Sequence, residues 1–114
     1  MQKLKPILPS QKEKKRYLVY EVISQKKLDK DPSKSIVAKA KSLLGLFDSA
    51  EAGIQSVKFD VKTQRGVLRV NHRYVTKLKT SMMLMNSTER TSMLLKTIGV
   101  SGILRKAQDK YIAG

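Results

Sequence analysis

The sequence predicts a two-layer α+β sandwich: a four-stranded antiparallel sheet with two long helices on one face and a further helix at the C-terminus. Three observations predict it. Four short stretches are rich in aromatic and β-branched residues or alternate apolar with polar residues, as strands do. Two longer stretches place apolar residues at helical spacing. Their order, β-α-β-β-α-β, is that of a split βαβ, ferredoxin-like arrangement, whose right-handed crossovers put both helices on the same face.

The elements follow in chain order. Residues 1–15 form a basic arm, and residues 16–114 a single domain. Pro6 and Pro9 disfavour a helix in the arm, and six of the first sixteen residues are Lys or Arg. Such a run is either a solvated, disordered terminus or an arm that orders along phosphates. RYLVYEVIS at 16–24 is the first strand. Leu18, Tyr20 and Val22 point one way and Tyr17, Val19, Glu21 and Ile23 the other; both faces are largely apolar, so the strand is central. After Asp31-Pro32, Ser33 is placed to cap a helix over 33–47 whose core stripe is Ile36, Ala40, Leu43, Leu44 and Phe47.

Gly53 ends that pattern. Residues 55–61 alternate, with Val57, Phe59 and Val61 on one side and Ser56, Lys58 and Asp60 on the other. A short loop, 62–65, with Gly66 at its end makes a hairpin to a strand ending at Asn71. Leu68 and Val70 share one face of that strand; Val67, Arg69 and Asn71 share the other. Asn71 also caps the next helix, 72–86, whose buried stripe is Val75, Leu78, Met82 and Met85. Asn86, Ser87 and Thr88 read as a turn, 92–98 as the last strand, Gly99-Val100-Ser101-Gly102 as a tight connection and 102–112 as a closing amphipathic helix.

Composition bounds the function. The chain has 114 residues, a net charge of +15 and a pI near 10.2, with 40% hydrophobic residues. Hydrophobic content of that size belongs to a folding chain, and charge of that size calls for a polyanionic partner, of which nucleic acid is the usual one. There is no cysteine, which excludes a disulfide framework, a thiolate metal site and a thiol nucleophile. The N-terminus has no apolar signal core, and no apolar run approaches the ~20 residues needed to cross a bilayer. The reading is therefore a soluble, intracellular, cytoplasmic protein. Its helices use their apolar sides for the core, which leaves little for binding a membrane surface.

RGVLRVNHRYV at 65–75 starts like the first motif of an RNA-recognition-motif strand, a basic residue followed by Gly. The aromatics that stack on bases are replaced by Val67, Leu68, Arg69 and Val70. Arginine and asparagine favour phosphates, 2′-hydroxyls and the outside of a folded RNA, so recognition of RNA shape is expected. By parity the open face also carries Tyr17, Val19, Ile23 and Lys58, joined from the last strand by either Leu94, Lys96 and Ile98 or Met93, Leu95 and Thr97. So apolar a face needs a cover. The terminal helix, through Ile103, Leu104, Ala107 and Tyr111, is one candidate, and a protein partner is the other.

Protein-borne catalysis finds little support. The single histidine, His72, opens a helix and reads as a capping or phosphate-contact residue. The nine carboxylates are dispersed, with Asp29/Asp31 and Asp48/Glu51 the closest pairs, both beside connections. A two-metal nuclease needs several gathered together. No G-x-S-x-G frames a serine. The Gly99–Gly102 turn lacks the Lys-Ser/Thr ending of a Walker loop, though as a glycine-rich turn ahead of a helix it has room for one phosphate.

KKRYLVYEVIS at 14–24, VKFDVKTQRGVLRVNHRYV at 57–75 and TIGVSGILRKAQDKY at 97–111 together resemble a known family. It is the small protein subunit family of archaeal and eukaryotic ribonuclease P and ribonuclease MRP, in its archaeal form, protein component 2. The resemblance implies an RRM-like sandwich without stacking aromatics that binds the ribonuclease P RNA near its catalytic domain. It implies a pair with a TIM-barrel protein subunit, two such pairs joining as a heterotetramer, and precursor tRNA met only indirectly. The chain would be a subunit of an endoribonuclease whose RNA carries the chemistry, metal-assisted hydrolysis that frees the mature 5′ end of tRNA. No catalytic residue and no cofactor are expected in the chain itself, and Mg2+ serves the RNA. On the matched motifs the implied RNA contacts are Arg65, Arg69, Asn71, Arg73, Lys77, Arg105 and Lys106. Lys12, Lys14, Lys15 and Arg16 join them on charge alone. The competing readings are a ribosome-associated protein that binds structured RNA without a role in cleavage, a free-standing nuclease, and a membrane-surface protein.

Overall fold

The computed structural model describes residues 14–88 and 93–113. Lys12 and nearly all of the arm lie outside them. The elements are β1 (Lys15–Ser24), α1 (Ser33–Leu44), α2 (Leu46–Ala52), β2 (Gln55–Asp60), β3 (Arg65–Asn71), a 3-10 turn (His72–Tyr74), α3 (Val75–Thr88), β4 (Met93–Ser101) and α4 (Leu104–Gln108). A π-helical turn, Asp109–Ala113, continues α4. The strands form one antiparallel sheet in the order β2-β3-β1-β4, which is the ferredoxin-like order the pattern predicted.

β1 is central, and both of its faces are buried as its composition requires. On one face Leu18, Tyr20 and Val22 pack with Leu68 and Val70 of β3, Ile36 and Ala40 of α1, and Leu78, Met82 and Met85 of α3. On the other, Val19 and Val67 are fully buried beneath Ala107 and Ile112, with Tyr17, Ile98, Leu104 and Tyr111 around them. Of the two covers considered for the open face, the terminal helix is the one in place. Ile103 is not part of the cover; it is 52% exposed.

Several boundaries move. β1 starts at Lys15, within the expected arm, because Lys15 pairs across the ladder with Asn71. Ser33 is the first residue of α1 and not its cap; the cap position is Pro32, and just ahead of it Asp31 Oδ1 accepts the Ser33 N–H at 2.8 Å. The single helix expected over 33–47 breaks at Gly45, which has a φ of 89°. Past the break the helical phase is reset, so Phe47 misses the core and stands 82% exposed; Leu43, ahead of the break, is also off the core at 46% exposed. The even alternation of 55–61 also fails, because the register of β2 on β3 shifts between Ser56 and Lys58. Val57 falls at that irregularity and is exposed.

The hairpin turn is made differently as well. The left-handed residue is Gln64, with φ 59°, and not Gly66. That conformation costs an ordinary side chain roughly 1–2 kcal/mol. Here the side chain compensates locally. Gln64 Nε2 donates to the carbonyls of Leu28 (2.9 Å) and Val61 (2.7 Å), and its Oε1 accepts the Leu28 N–H at 2.9 Å. Gly66 serves packing: a Cβ there would stand 2.4 Å from the Tyr20 hydroxyl, so only glycine admits the Tyr20 ring beside β3. Phe59 stacks on that ring at 6.3 Å between centroids.

α3 is preceded by the 3-10 turn and runs to Thr88, so Asn86 is helical and does not open a turn. β4 continues to Ser101, and Gly99-Val100-Ser101 is therefore strand, not a phosphate-sized connection ahead of a helix. Gly99 is there because the Tyr111 ring lies over it, 2.4 Å from where a Cβ would be. The β4 register skips Ile98, with Val19 opposite Gly99 and Tyr20 opposite Thr97. That settles the parity left open: Met93 and Leu95 pack with the helices, and Ile98 with α4.

Candidate nucleic-acid interface

The register gathers cations at one end of the sheet. Lys15 faces Asn71, Arg16 faces Val70, and Tyr17 lies in one row with Arg69 of β3 and Ser101 of β4. That end holds the start of β1 and the finish of β3 and β4. Three segments remote in sequence meet there: Lys14, Lys15 and Arg16; Arg69 and Arg73; and Arg105 and Lys106, which follow β4 in the first turn of α4. Lys14, Arg73, Arg105 and Lys106 are exposed, while Lys15, Arg16 and Arg69 are half-buried. The Arg16 guanidinium donates to the Lys15 carbonyl at 3.1 Å and lies beside Gly102, 3.4 Å from the position of a Cβ there. Arg69 lies on the α4 side of the sheet, and its Nε is buried with no acceptor among the described residues. A buried donor left in that state costs roughly 1–3 kcal/mol.

Two expected contacts lie elsewhere. Arg65 is at the opposite end, opposite Glu21, with its Nε 3.8 Å from the Glu21 carboxylate. Its Nη1 donates to the Tyr111 carbonyl at 2.6 Å, which fastens the far end of the α4 segment to β3. Lys77 points to α2, where its ammonium donates to Asp48 Oδ2 at 2.8 Å and lies 5.4 Å from the centre of the Tyr74 ring. The hydrogen bond to Asp48, and then the Asp48 charge, raise the Lys77 pKa. Burial beside the Glu51 and Asp48 carboxylates raises that of Tyr74.

Asn71 departs furthest from the role expected of it. It is fully buried, with 0% of its surface exposed, so it has no surface to offer a ligand. Its Oδ1 accepts the Arg73 N–H at 3.0 Å, the cap that its position predicted.

Apolar surface that the sequence did not reveal lies on the helix layer. Leu46 and Phe47 of α2 are 80% and 82% exposed, and Leu43 of α1 and Met83 and Leu84 of α3 are also uncovered. The available signal was Gly45 inside a helical pattern. Among the described residues no three His, Asp or Glu side chains gather where they could hold a metal ion. Among those residues, too, no helix is long and apolar enough to cross a membrane.

Comparison with known proteins places the chain in a family. Residues 16–112 match the family model described as the Rpp14/Pop5 family. The chain belongs to that family. Proteins to which it is similar include the Ribonuclease P protein component 2 of Pyrococcus abyssi, at 32% identity over 112 residues, which span 97% of this chain and 95% of the relative. The protein of the same name from Pyrococcus horikoshii is 32% identical over 114 residues, 99% and 95% of the two chains. That of Methanosarcina mazei is 29% identical over 110 residues, 96% and 93%. In fold, the chain is similar to one in the cryo-EM structure of yeast ribonuclease MRP, with a TM-score of 0.55 and 16% identity over 82% of this chain and 77% of that one. The Rpp14/Pop5 match bears out the resemblance carried by the three motifs, and its span takes in both the hairpin and the terminal helix.

Proposed function

We propose that this chain is a protein subunit of ribonuclease P. It binds the catalytic RNA through the basic end of its sheet and supports the RNA fold that cleaves precursor tRNA to the mature 5′ end. The observation that carries the reading is the convergence there of cations from three remote segments, in a chain whose family relatives are named ribonuclease P components. A row of cations fixed by strand register matches a phosphate backbone held in a folded RNA, and phosphate contacts position a protein without reading bases. Arg69 is half-buried, so part of its surface stays open to a phosphate, while its Nε is buried and out of a ligand's reach. Lys14, Lys15, Arg16, Arg73, Arg105 and Lys106 complete the surface. Arg65 and Lys77 act within the protein, and Asn71 is dealt with below.

In this reading the RNA holds the Mg2+ and performs the hydrolysis, in the cytoplasm, while the protein lowers phosphate repulsion. A TIM-barrel subunit is the protein partner, with two such pairs able to join. α4 covers the middle of the once-open sheet face and leaves Ile23 and Leu94 exposed there, so the helix-layer residues Leu43, Leu46, Phe47, Met83 and Leu84 are the larger apolar surface left for that partner. Reconstitution tests the proposal. Added with the TIM-barrel subunit to the RNA at limiting Mg2+, this chain should raise precursor-tRNA cleavage. Cleavage by the purified chain without RNA, or co-sedimentation with ribosomal subunits in place of ribonuclease P RNA, would overturn it.

A further inference from the structure

We infer that Asn71 is the positioning residue of the basic end, holding the cations of β1 and of the 3-10 turn in one arrangement without touching RNA itself. The inference rests on the reading of that end as the RNA-binding surface. Asn71 is fully buried at the point where three backbone segments meet. Its Oδ1 accepts the Arg73 N–H at 3.0 Å, and its Nδ2 reaches the carbonyl of Glu51, in the last turn of α2, at 3.5 Å. It faces Lys15 across the β1–β3 ladder, and the next amide, His72 N–H, donates to the Lys14 carbonyl at 2.8 Å. The Lys15 ammonium lies over the end of α2, 3.6 Å from where a Cβ on Gly53 would be. One side chain and the peptide after it therefore tie Lys14 and Lys15, the carboxyl end of α2, and Arg73 together.

The chemistry asks for an amide. A carboxamide offers a donor and an acceptor on separate atoms of one neutral head group, and of the two carboxamide side chains Asn has the shorter stem. Aspartate would turn an oxygen toward the Glu51 carbonyl and bring negative charge to a phosphate-binding end. Serine keeps the acceptor for Arg73 but not the reach to Glu51. Cations ordered during folding need no ordering at binding, so a fixed arrangement lets more of them meet phosphates at once.

The test is the salt dependence of binding between the full chain and its ribonuclease P RNA. Each phosphate contact contributes ~0.7–0.9 to the slope of log affinity against log salt. Asn71→Ala removes no charge, yet it should lower the slope by at least one contact's worth, and Asn71→Ser should recover part of it. Ile54→Val, a loss confined to the apolar core, should leave the slope alone. His72→Pro removes the N–H that holds Lys14, and the preceding Asn71, at φ −59° and ψ 136°, already has the extended backbone that a following proline asks for. This substitution should cost one contact, and it decides alone if Asn71→Ala does not fold. A slope unchanged in Asn71→Ala and His72→Pro, while Lys14→Ala/Arg73→Ala lowers it, overturns the positioning role and spares the surface. A slope unchanged in Lys14→Ala/Arg73→Ala as well overturns the surface.

Discussion

Tyr20 shows how much one residue decides here. Its ring is fully buried on the helix side of the sheet, over Gly66 of β3, and its hydroxyl has no hydrogen-bond partner among the described residues. Burial, reinforced by the Asp31 charge, pushes its pKa far above the usual tyrosine range. The folded chain thus keeps this proton to a higher pH than the unfolded chain. The stability linked to it is whole below the ordinary tyrosine pKa of ~10 and is lost as pH rises past it. Tyr20→Phe should therefore raise stability by about 1 kcal/mol at pH 7, by removing an unsatisfied buried donor, and should blunt alkaline unfolding. Urea melts at neutral and alkaline pH check both, and a variant that loses stability with pH as steeply as the parent refutes the assignment. Gly66→Ala should cost ~1–3 kcal/mol, the usual penalty for overfilling a packed site, because the Tyr20 ring occupies the place of the new methyl; the shift in the urea midpoint measures it. At this scale the sequence was legible for strand parity, since Leu18, Tyr20 and Val22 do face the helices. It was not legible for Gly66 or Gly99. A glycine near a turn looks the same whether it supplies a backbone angle or yields space to a ring that lies distant in sequence.

Among the elements, β4 is an edge strand, and long edges invite pairing with other chains. The chain blunts this edge with one amide. Asn86 Oδ1 accepts the Leu95 N–H at 2.9 Å, and its Nδ2 donates to the Leu95 carbonyl at 2.9 Å, as a neighbouring strand would. Asn86→Ala should cost about 1–3 kcal/mol, given two hydrogen bonds at roughly 1 kcal/mol each. It should also make the chain self-associate with rising concentration, which light scattering reads; a variant that is destabilised but stays monodisperse would show that the amide only ties α3 to β4. The helix-layer elements were the least legible. Helical spacing carried one helix across Gly45; that glycine was the local sign of a break, but not of the new phase that turns Leu46 and Phe47 outward. The end of β4 was hidden for a related reason. Gly99-Val100-Ser101 has the composition of a loop, and only its pairing with β1 and the Tyr111 ring above it make it a strand.

For the molecule as a whole, charge suggests the class of partner, and topology gathers one set of cations at one end of the sheet. A net charge of +15 is legible in any order of residues, but the set of cations that share a surface is not, because it depends on which strand ends pair. Hence Arg65, beside Arg69 in one motif, is on the opposite end of the sheet and bonded to Tyr111. The same charge makes opposed demands on salt. In the isolated chain like charges repel, and screening shortens their reach from ~10 Å at 0.1 M to ~3 Å at 1 M salt, so the melting temperature should rise with NaCl. Binding runs the other way. If Lys14, Lys15, Arg16, Arg69, Arg73, Arg105 and Lys106 all meet phosphates, seven contacts give a slope of roughly −5 to −6 in log affinity against log salt. RNA at a hundredfold excess over Kd stabilises the folded chain by about 2.7 kcal/mol, and that gain shrinks as salt weakens binding. Melting curves with and without RNA, followed from low to high NaCl, should therefore converge, one falling as the other rises. Parallel curves would mean that the cations at the sheet end are not the ones RNA engages, whatever the affinity at a single salt concentration.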